Sequence, residues 1–559
     1  MIGATSSSAD TPRAHITNPA ALECLRDIGL DVECSRLASQ GDTMAHTRWC
    51  HSLAGEEYAR IYSWGNNPKR KGDHDAASPC RHIDLPQTLM EPILLKYASQ
   101  HGFKCRMDTK FLSFEQDETG VTSTIEDVMT STTYKIRSKY LIAADGARSQ
   151  IVKQLGLELD AKPGGGVAID VLVKADLSHL VKHRTGNLHW ILQPDVEYPD
   201  FGMMGVARMV KPWNEWIFSL FPSIHATTIP QPTNEQYLAR IKQFIGDDTP
   251  AEILMVSRWN INEIVAKEYS KGNVFCLGDA VHRHPPMNGL GSNTCIQDAY
   301  NLAWKLAHVL KSKASPRILD SYTLERQPVG LGIISRANDS FRNHRQIWSA
   351  LAMLSPSLSD RKAAFAELSA EGAAGKKRRS ELRKGIEHSA HEFHAIGIEM
   401  NQHYDSPAIF SSDEPAPFEP QGLAAEDPVL YYTPNTFPGS RLPHAWLNKA
   451  VPNQSPISTI DLAGKGSWAI FTGIGGQAWK EAANVVGNEV HIQVNAVSIG
   501  FRQNWEDIYG DWEKVRSVEE DGCILVRPDR FIAWRATSSG DEIQRLRTVF
   551  ERVLGRTTT

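Results

Sequence analysis

The sequence predicts an α/β layer interrupted by a β-sheet insert and followed by a separate C-terminal domain. Three observations carry that prediction. Helical and strand patterns alternate over 11–160, β-rich stretches take over from about 164 to 259, and a strand, loop and long-helix pattern returns at 274–311. A chain of 559 residues allows about three or four domains at roughly 100–200 residues each.

In chain order, 18–28 and 85–101 read as helices and 140–144 as a buried strand of the parallel type. The insert shows strands at 167–173, 188–192, 201–209 and 215–221, with Pro212, Trp213 and Asn214 as the hairpin turn between the last two. After Gly272 and Asn273 comes a short apolar strand, 274–277, then a Pro/Gly-rich loop and a helix. That helix, over 293–311, puts Ile296, Ala299, Leu302, Ala303, Leu306, Val309 and Leu310 on one 3.6-period face. A helical, charge-rich stretch covers 320–400. Its run Lys376, Lys377, Arg378 and Arg379 fits a nuclear address or, more simply, a solvated helix end. Residues 411–428 read as a linker. The expected units are 1–160, the sheet domain 161–268, a return to the first layer at 269–335, a helical segment 336–410, the linker, and a last domain over 429–559.

Composition narrows the function classes. Apolar residues make up 41% and charged residues 22%, near the globular average. Sixty basic against 65 acidic residues give a net charge of -5, no footprint for nucleic acid or an anionic membrane. No run approaches the roughly 18 apolar residues of a membrane span, and the Ser-rich start lacks an apolar signal centre, so the expected compartment is the cytosol. The eight cysteines contain no CxxC pair, which argues against a disulfide frame or a zinc site, and no metal is expected.

Two segments carry chemistry. In YLIAADGARSQ (140–150) an apolar strand ends in Asp145 and Gly146 before a new helix, the place where doubly wound folds collect ligands; an ordinary β-turn fits it equally. GNVFCLGDAVHRHPPMNGLGSNTCIQDAYN (272–301) is more specific. A strand ends in Asp279, two prolines stiffen the loop, and Gly289 and Gly291 let backbone approach a ligand just before a helix N-terminus. A carboxylate that accepts from a polyol chain, beside a helix end that favours negative charge, suits a flavin. His282 and His284 lie in the same loop, where capping or packing is at least as good a role as proton transfer.

These segments, ADGARS and GDAVHRHPPMNGLGSN, resemble those of the single-component flavoprotein aromatic hydroxylases, specifically the phenol and dichlorophenol monooxygenase group. Supporting stretches are Pro12 to His15, Leu85 to Gln87, 397–402 and 526–535. The resemblance implies a flavoprotein hydroxylase fold: a doubly wound FAD-binding layer, an inserted β-sheet substrate domain and a thioredoxin-like C-terminal domain. It also implies FAD-dependent hydroxylation of a phenolic ring with NADPH or NADH and O2 through a flavin C4a-hydroperoxide. By that resemblance Asp279 holds the ribityl chain, Gly289, Leu290, Gly291 and Asn293 lie under the flavin ring, and Pro285 and Pro286 line its reactive face. Asp145 and Gly146 support the pyrophosphate region indirectly and contribute to the pyridine-nucleotide site, and Arg13 and Gln87 touch FAD. The position of the substrate base holds His15, whose ordinary pKa near 6.5 suits the task. Trp190, Met203 and Trp216 are candidate pocket residues. The last domain has a single cysteine, Cys523, which excludes dithiol chemistry and leaves packing or a homodimer contact as its role.

The chain departs from the family at its front. Only eleven residues precede Pro12, whereas the family's strand, Gly-rich loop, helix and strand occupy about 30. The doubly wound layer is therefore expected to lack its first βαβ unit and to expose a sheet edge. Two readings follow: a hydroxylase whose working form begins upstream of Met1, or a non-catalytic relative that binds a phenolic ligand or another subunit. Baeyer–Villiger oxygen insertion or a flavin oxidase is a weaker third, since all share the cofactor site.

Overall fold

The computed structural model describes residues 1–224 and 231–557. Its first half carries β1 (Ile16–Thr17), β2 (His46–Cys50), β3 (Glu57–Tyr62), β4 (Ile83–Asp84), β5 (Thr109–Asp117), β6 (Gly120–Asp127), β7 (Thr132–Ser138) and β8 (Leu141–Ala143). Then come β9 (Leu159–Lys174), β10 (Leu188–Leu192), β11 (Met204–Lys211), β12 (Glu215–Phe221), β13 (Glu252–Ala266), β14 (Ser270–Lys271), β15 (Val274–Cys276) and β16 (His282–Arg283).

Eight strands form one sheet in the order β16-β13-β9-β12-β11-β10-β2-β3. β2 and β3 precede the insert in sequence yet complete its sheet, β2 pairing parallel with β10. The two-residue period of a strand divides the sheet into two faces. On the outer face Val171, Val173, Trp216 and Phe218 pack with Ile241 and Phe244 of helix Asn234–Ile245. On the inner face Trp49, Trp190, Val206 and Phe221 join Met287 and Trp348 in a second core. Trp190 and Met203 thus belong to the inner side. Trp216 does not, because it is out of phase with Phe221 on the same strand, and it is withdrawn as a pocket residue.

β9 runs through Gly164, Gly165 and Gly166, whereas the sequence put the start of this strand at 167. The glycines sit where β13 bulges between Ile261 and Glu263. A Cβ on Gly164 would lie 2.2 Å from the Ile261 carbonyl oxygen, so the strand continues only because it has none.

The α/β layer contains the sheet β14-β15-β8, with β15 and β8 parallel, so the strands read from 140–144 and 274–277 are neighbours. Among the described residues no strand pairs with the far side of β8, and Ile142 on it is 50% exposed. Helix Gln150–Leu155 follows β8 and helix Gly291–Leu310 follows the loop after β15. The basic run near 376 lies in helix Gly372–His388, where Arg378 pairs with Glu367 at 2.8 Å.

The last domain builds a four-stranded sheet. Strand Trp468–Thr472 is parallel to Val494–Ser498 and antiparallel to Cys523–Val526, which pairs antiparallel with Ile532–Ala536. With helices Gln477–Glu489 and Glu542–Val553 this is the thioredoxin arrangement. Residues before it are tied down: Asp413 accepts from Trp534 Nε1 at 2.8 Å and Glu414 pairs with Arg535 at 2.7 Å.

The turn between its last two strands enters the first layer as a charged wedge. Arg527 donates to both oxygens of Glu325 at 2.6 and 2.9 Å and pairs with Asp529 at 2.5 Å. Lys305, on helix Gly291–Leu310, also reaches Glu325 at 2.7 Å. Arg530 pairs with Asp27 at 2.8 Å and donates to the Glu23 carbonyl at 2.7 Å, both on helix Pro19–Asp27. Arg527, Glu325 and Lys305 are fully buried, and burial, opposed by Glu325, pulls the Lys305 pKa down to about 8.

Candidate active site

The loop from Gly278 to Leu290 lies between the two parts of the fold. Gly278 has φ +62, and its N–H donates to Asp298 Oδ2 at 3.1 Å. The same carboxylate takes His282 Nε2 at 2.8 Å and, on Oδ1, Arg326 Nε at 2.7 Å. All three side chains are fully buried. Burial would raise the Asp298 carboxyl, but Arg326 and His282 outweigh it and the pKa falls below the ordinary range. Arg326 goes on to Tyr404 and Gln402, each at 3.0 Å. Arg283 folds back onto the carbonyls of Asp279 and Ala280 at 2.9 and 3.1 Å.

This bracing leaves the Asp279 carboxylate exposed. The helix that follows, Gly291–Leu310, begins at Leu290 with no side-chain cap, so its first N–H groups and the positive end of its dipole are open. Asn288 (φ +62) anchors the loop through Ser340 at 2.7 Å and the His391 carbonyl at 2.7 Å. Gly289 (φ +61) passes so close to β1 that a Cβ would lie 3.0 Å from Ile16 Cβ. Pro285 is buried and Pro286 exposed. His284 Nδ1 faces the Pro285 carbonyl at 2.6 Å, and burial pulls its pKa to about 4, leaving a neutral ring in a packing role.

Asn293 makes its side-chain hydrogen bonds within the protein. Its Nδ2 donates to the carbonyls of Ile16 and Gly289 at 2.8 and 2.5 Å, and its Oδ1 accepts from Asn18 N at 2.9 Å. The side chain is therefore engaged by protein and ties the helix start to β1. Asp145 Oδ2 accepts from Gln150 N at 2.9 Å at the start of helix Gln150–Leu155, beside Gly146 (φ +76). Gln87 opens helix Gln87–Gln100 and donates to Glu91 at 2.5 Å. Arg13 is exposed, whereas His15 is only 5% exposed.

His15 lies against Asp84, which pairs across the β1–β4 ribbon with Ile16. His15 Nδ1 is 3.3 Å from Asp84 Oδ1, and Asp84 Oδ2 accepts from Asn187 at 2.5 Å and Arg208 at 3.1 Å. Burial alone would raise the Asp84 carboxyl, but Arg208, His15 and Asn187 hold it at about 2. Arg208 projects on the Val206 face of β11, the inner face, so the cluster sits where ribbon and sheet meet.

Asp84 and Asp298 define an acid limb of stability. Each is depressed in the folded protein, so each stabilises fully above the unfolded carboxyl pKa near 4 and loses that contribution as pH falls through the folded value. Thermal unfolding followed by circular dichroism is expected to give a flat midpoint above about pH 5 and a steep fall below about pH 4.

Comparison with known proteins agrees with this geometry. Residues 1–337 match the family described as FAD binding domain, and 435–557 match the aromatic-ring hydroxylase C-terminal domain. The chain belongs to the FAD-dependent aromatic-ring hydroxylases. Within that family, the hydroxylase is 42% identical to 2,4-dichlorophenol 6-monooxygenase of Delftia acidovorans over 97% of this chain and 92% of that protein. It is 41% identical to phenol 2-monooxygenase of Pseudomonas sp. (strain EST1001) over 95% of this chain and 84% of that one. The solved flavin-dependent monooxygenase PieE, in complex with FAD and substrate, superimposes with a TM-score of 0.93 at 37% identity, covering 100% of this chain and 94% of that one.

The residues present fit the flavin end of FAD. An exposed carboxylate next to an uncapped 20-residue helix offers an acceptor for hydroxyls and donors for a negatively charged ring edge. The bracing residues Asp298, Arg326 and Asn288 were not singled out from sequence. The available signal was the polar stripe Asp298, Asn301 and Lys305 along one side of the helix, which reads as a solvated face until its burial is seen.

Proposed function

We propose that this hydroxylase uses NAD(P)H and O2 to add a hydroxyl group to a phenolic ring held between the 278–290 loop and the inner face of the eight-stranded sheet. The observation that carries this reading is the junction itself. Met287 of the loop and Ile16 of β1 share one apolar core with Trp49, Trp190 and Val206 of the sheet, and Arg208 of β11 lies at that junction. The relatives named for phenol and dichlorophenol support the substrate class.

FAD, when bound, supplies electron transfer from NAD(P)H and the activation of oxygen. The chain supplies the rest. Asp279 would hold the polyol chain of the bound cofactor as a hydrogen-bond acceptor, and the uncapped helix start at Gly291 would favour negative charge on a reduced ring. Pro285, Pro286 and Met287 bound the loop side, and the tryptophan-rich inner core keeps water from the reacting ring. His15 lies in reach of the ribbon–sheet junction to take the hydroxyl proton, which raises the ring's nucleophilicity. Self-association through the C-terminal domain and a cytosolic setting belong to the same proposal; among the described residues no helix is long and apolar enough to cross a membrane.

The test is the visible spectrum of the purified chain with added FAD, then with NADPH under air and a phenol. Flavin retained at near-stoichiometric amount, bleached by NADPH and recovered with formation of a hydroxylated ring, is the expected result. A protein that stays colourless with FAD fits the non-catalytic binding reading instead, and flavin turnover that yields only hydrogen peroxide fits an oxidase. Asp279→Ala removes a charge-assisted acceptor worth about 1.5–3 kcal/mol, so the FAD Kd should rise roughly tenfold to a hundredfold in a flavin fluorescence titration.

A further inference from the structure

The inner face of the eight-stranded sheet carries a group of aromatic rings whose nitrogens the fold leaves unmatched. Trp49 of β2 and Trp190 of β10 are register partners across the parallel pair, so they stand side by side on that face. Against them, helix Ser321–Ala350 places His344 and, one turn on, Trp348. The His344 ring lies 4.1 Å from that of Trp190 and 6.3 and 6.2 Å from those of Trp49 and Trp348. All four residues are at most 7% exposed, and Trp49 Nε1, Trp190 Nε1, Trp348 Nε1 and His344 Nδ1 are buried without a hydrogen-bond partner. Native cores seldom strand such groups, least of all several in one contact cluster.

The cluster is fastened to the flavin-side loop. Ser340, one turn before His344, donates to Asn288 Oδ1 at 2.7 Å, and Asn288 Nδ2 donates to the carbonyls of His391 and Glu392 at 2.7 and 3.3 Å. The Glu392 carboxylate accepts from His344 Nε2 at 2.7 Å. Nε2 therefore bears the hydrogen, and the neutral ring has its lone pair on Nδ1.

An indole N–H can be satisfied by the face of another ring. Trp49 meets Phe393 at 77° and Trp348 meets Phe341 at 75°, geometries suited to that contact. Trp190 lies instead at 15° to Phe221 and 30° to His344, and an N–H in the plane of one ring does not meet the face of a ring parallel to it. Its tilted neighbour Trp348 stands 6.3 Å away at 47°.

We infer that Trp190 is a specificity-determining residue, its indole N–H donating to a second oxygen function on the substrate, apart from the hydroxyl that activates the ring. Where that oxygen is a hydroxyl, His344 Nδ1 accepts its hydrogen, and Glu392 is the positioning residue that fixes the imidazole. The inference rests on the phenolic reading above and narrows it to oxygenated phenols, such as hydroxyphenyl ketones and dihydroxybenzenes. Alkyl and chloro substituents are poor acceptors and leave the N–H desolvated and unpaired, which is how a polar site rejects an analogue.

The experiment compares isosteric pairs on the FAD-loaded protein, by Kd from the flavin spectrum and by kcat/KM. The pairs are hydroxyacetophenone against isopropenylphenol, in ortho, meta and para isomers, and resorcinol against meta-cresol. The wild type should favour the oxygenated member of at least one pair by about tenfold or more. Trp190→Phe keeps a ring without the N–H and should bring that ratio to within about twofold of unity, with little change for the other member. A hydroxyl preference should fall in His344→Phe as well, whereas a carbonyl preference should survive it, which tells the two oxygen sources apart. Each ratio is taken within one protein, so a merely structural loss of stability or of flavin does not move it. Should Trp190→Phe not fold, the benzothienyl analogue of tryptophan at position 190, with sulfur for N–H, makes the same test at nearly the same volume. Wild-type ratios near one, or a preference that survives removal of the N–H, would overturn the inference, while hydroxylation of either member of a pair upholds the phenolic reading. If none of these phenols is bound or hydroxylated, the phenolic reading falls and takes this inference with it.

Discussion

Replacing Arg527 by methionine is expected to lower the unfolding free energy by about 3–5 kcal/mol, because it leaves buried carboxylates without their cation. Arg527 has no access to water and bonds Glu325 twice and Asp529 twice. Lys305 is the remaining cation beside Glu325, and burial has already weakened its hold on a proton. Glu325 lies on helix Ser321–Ala350 and Lys305 on helix Gly291–Leu310, so the loss falls on the flavin-side helices as well as on the C-terminal domain. Urea unfolding of the variant should show a lower midpoint with an unchanged slope. Replacing Arg527, Glu325 and Asp529 together by apolar residues of similar volume should recover much of the loss, since the penalty lies in the unpaired charge. A single Arg527→Met variant as stable as the wild type would show that the wedge contributes nothing.

Asp298→Ala should have the second large effect, and a functional one. It strips three donors at once: the Arg326 guanidinium, His282 Nε2 and the Gly278 N–H. An uncompensated buried guanidinium alone corresponds to about 3–5 kcal/mol. The loop that presents Asp279 then loses its tie at Gly278, so FAD affinity should fall as well, although Asp298 is fully buried behind the loop. Asp298→Asn keeps one acceptor and should show the smaller loss in both measurements. FAD affinity unchanged in a folded Asp298→Ala protein would mean that Arg283 and Asn288 hold the loop without it.

Local patterns in the sequence were sufficient for the elements whose partners are close or whose periodicity is strong. β10 and β12 were expected at 188–192 and 215–221 and occupy those residues. The helix of the flavin loop was read from its apolar face at 293–311 and occupies Gly291–Leu310. The loop with Asp279, Gly289 and Gly291 was read from an acid, a stiff segment and a helix start in one local string, and the helix does begin at Gly291. Three things were not. The inclusion of β2 and β3 in the insert's sheet depends on pairing far along the chain, which leaves no trace in local alternation. β9 was expected from 167 and begins at Leu159, because the bulge that accommodates Gly164–Gly166 lies on β13. The buried Asp84 pair was hidden because an acid at a strand end before Leu85 and Pro86 reads as a turn residue, and only the fold brings His15, Asn187 and Arg208 to it.

The parallel pairing of β2 with β10 also sets the order of events during synthesis. Cys50 and Trp190, joined across that pair, are 140 residues apart. A ribosome adding about 5–20 residues per second makes Trp49 roughly 7–30 seconds before its neighbouring strand exists. Over that interval β2 can pair only with β3, and Trp49, fully buried in the finished fold, has no core to join. Yield in a heterologous host should therefore depend on holdase capacity and growth temperature more than the finished protein's stability would suggest, and gains from slower growth should shrink if β2 and β3 are supplied after the insert by circular permutation.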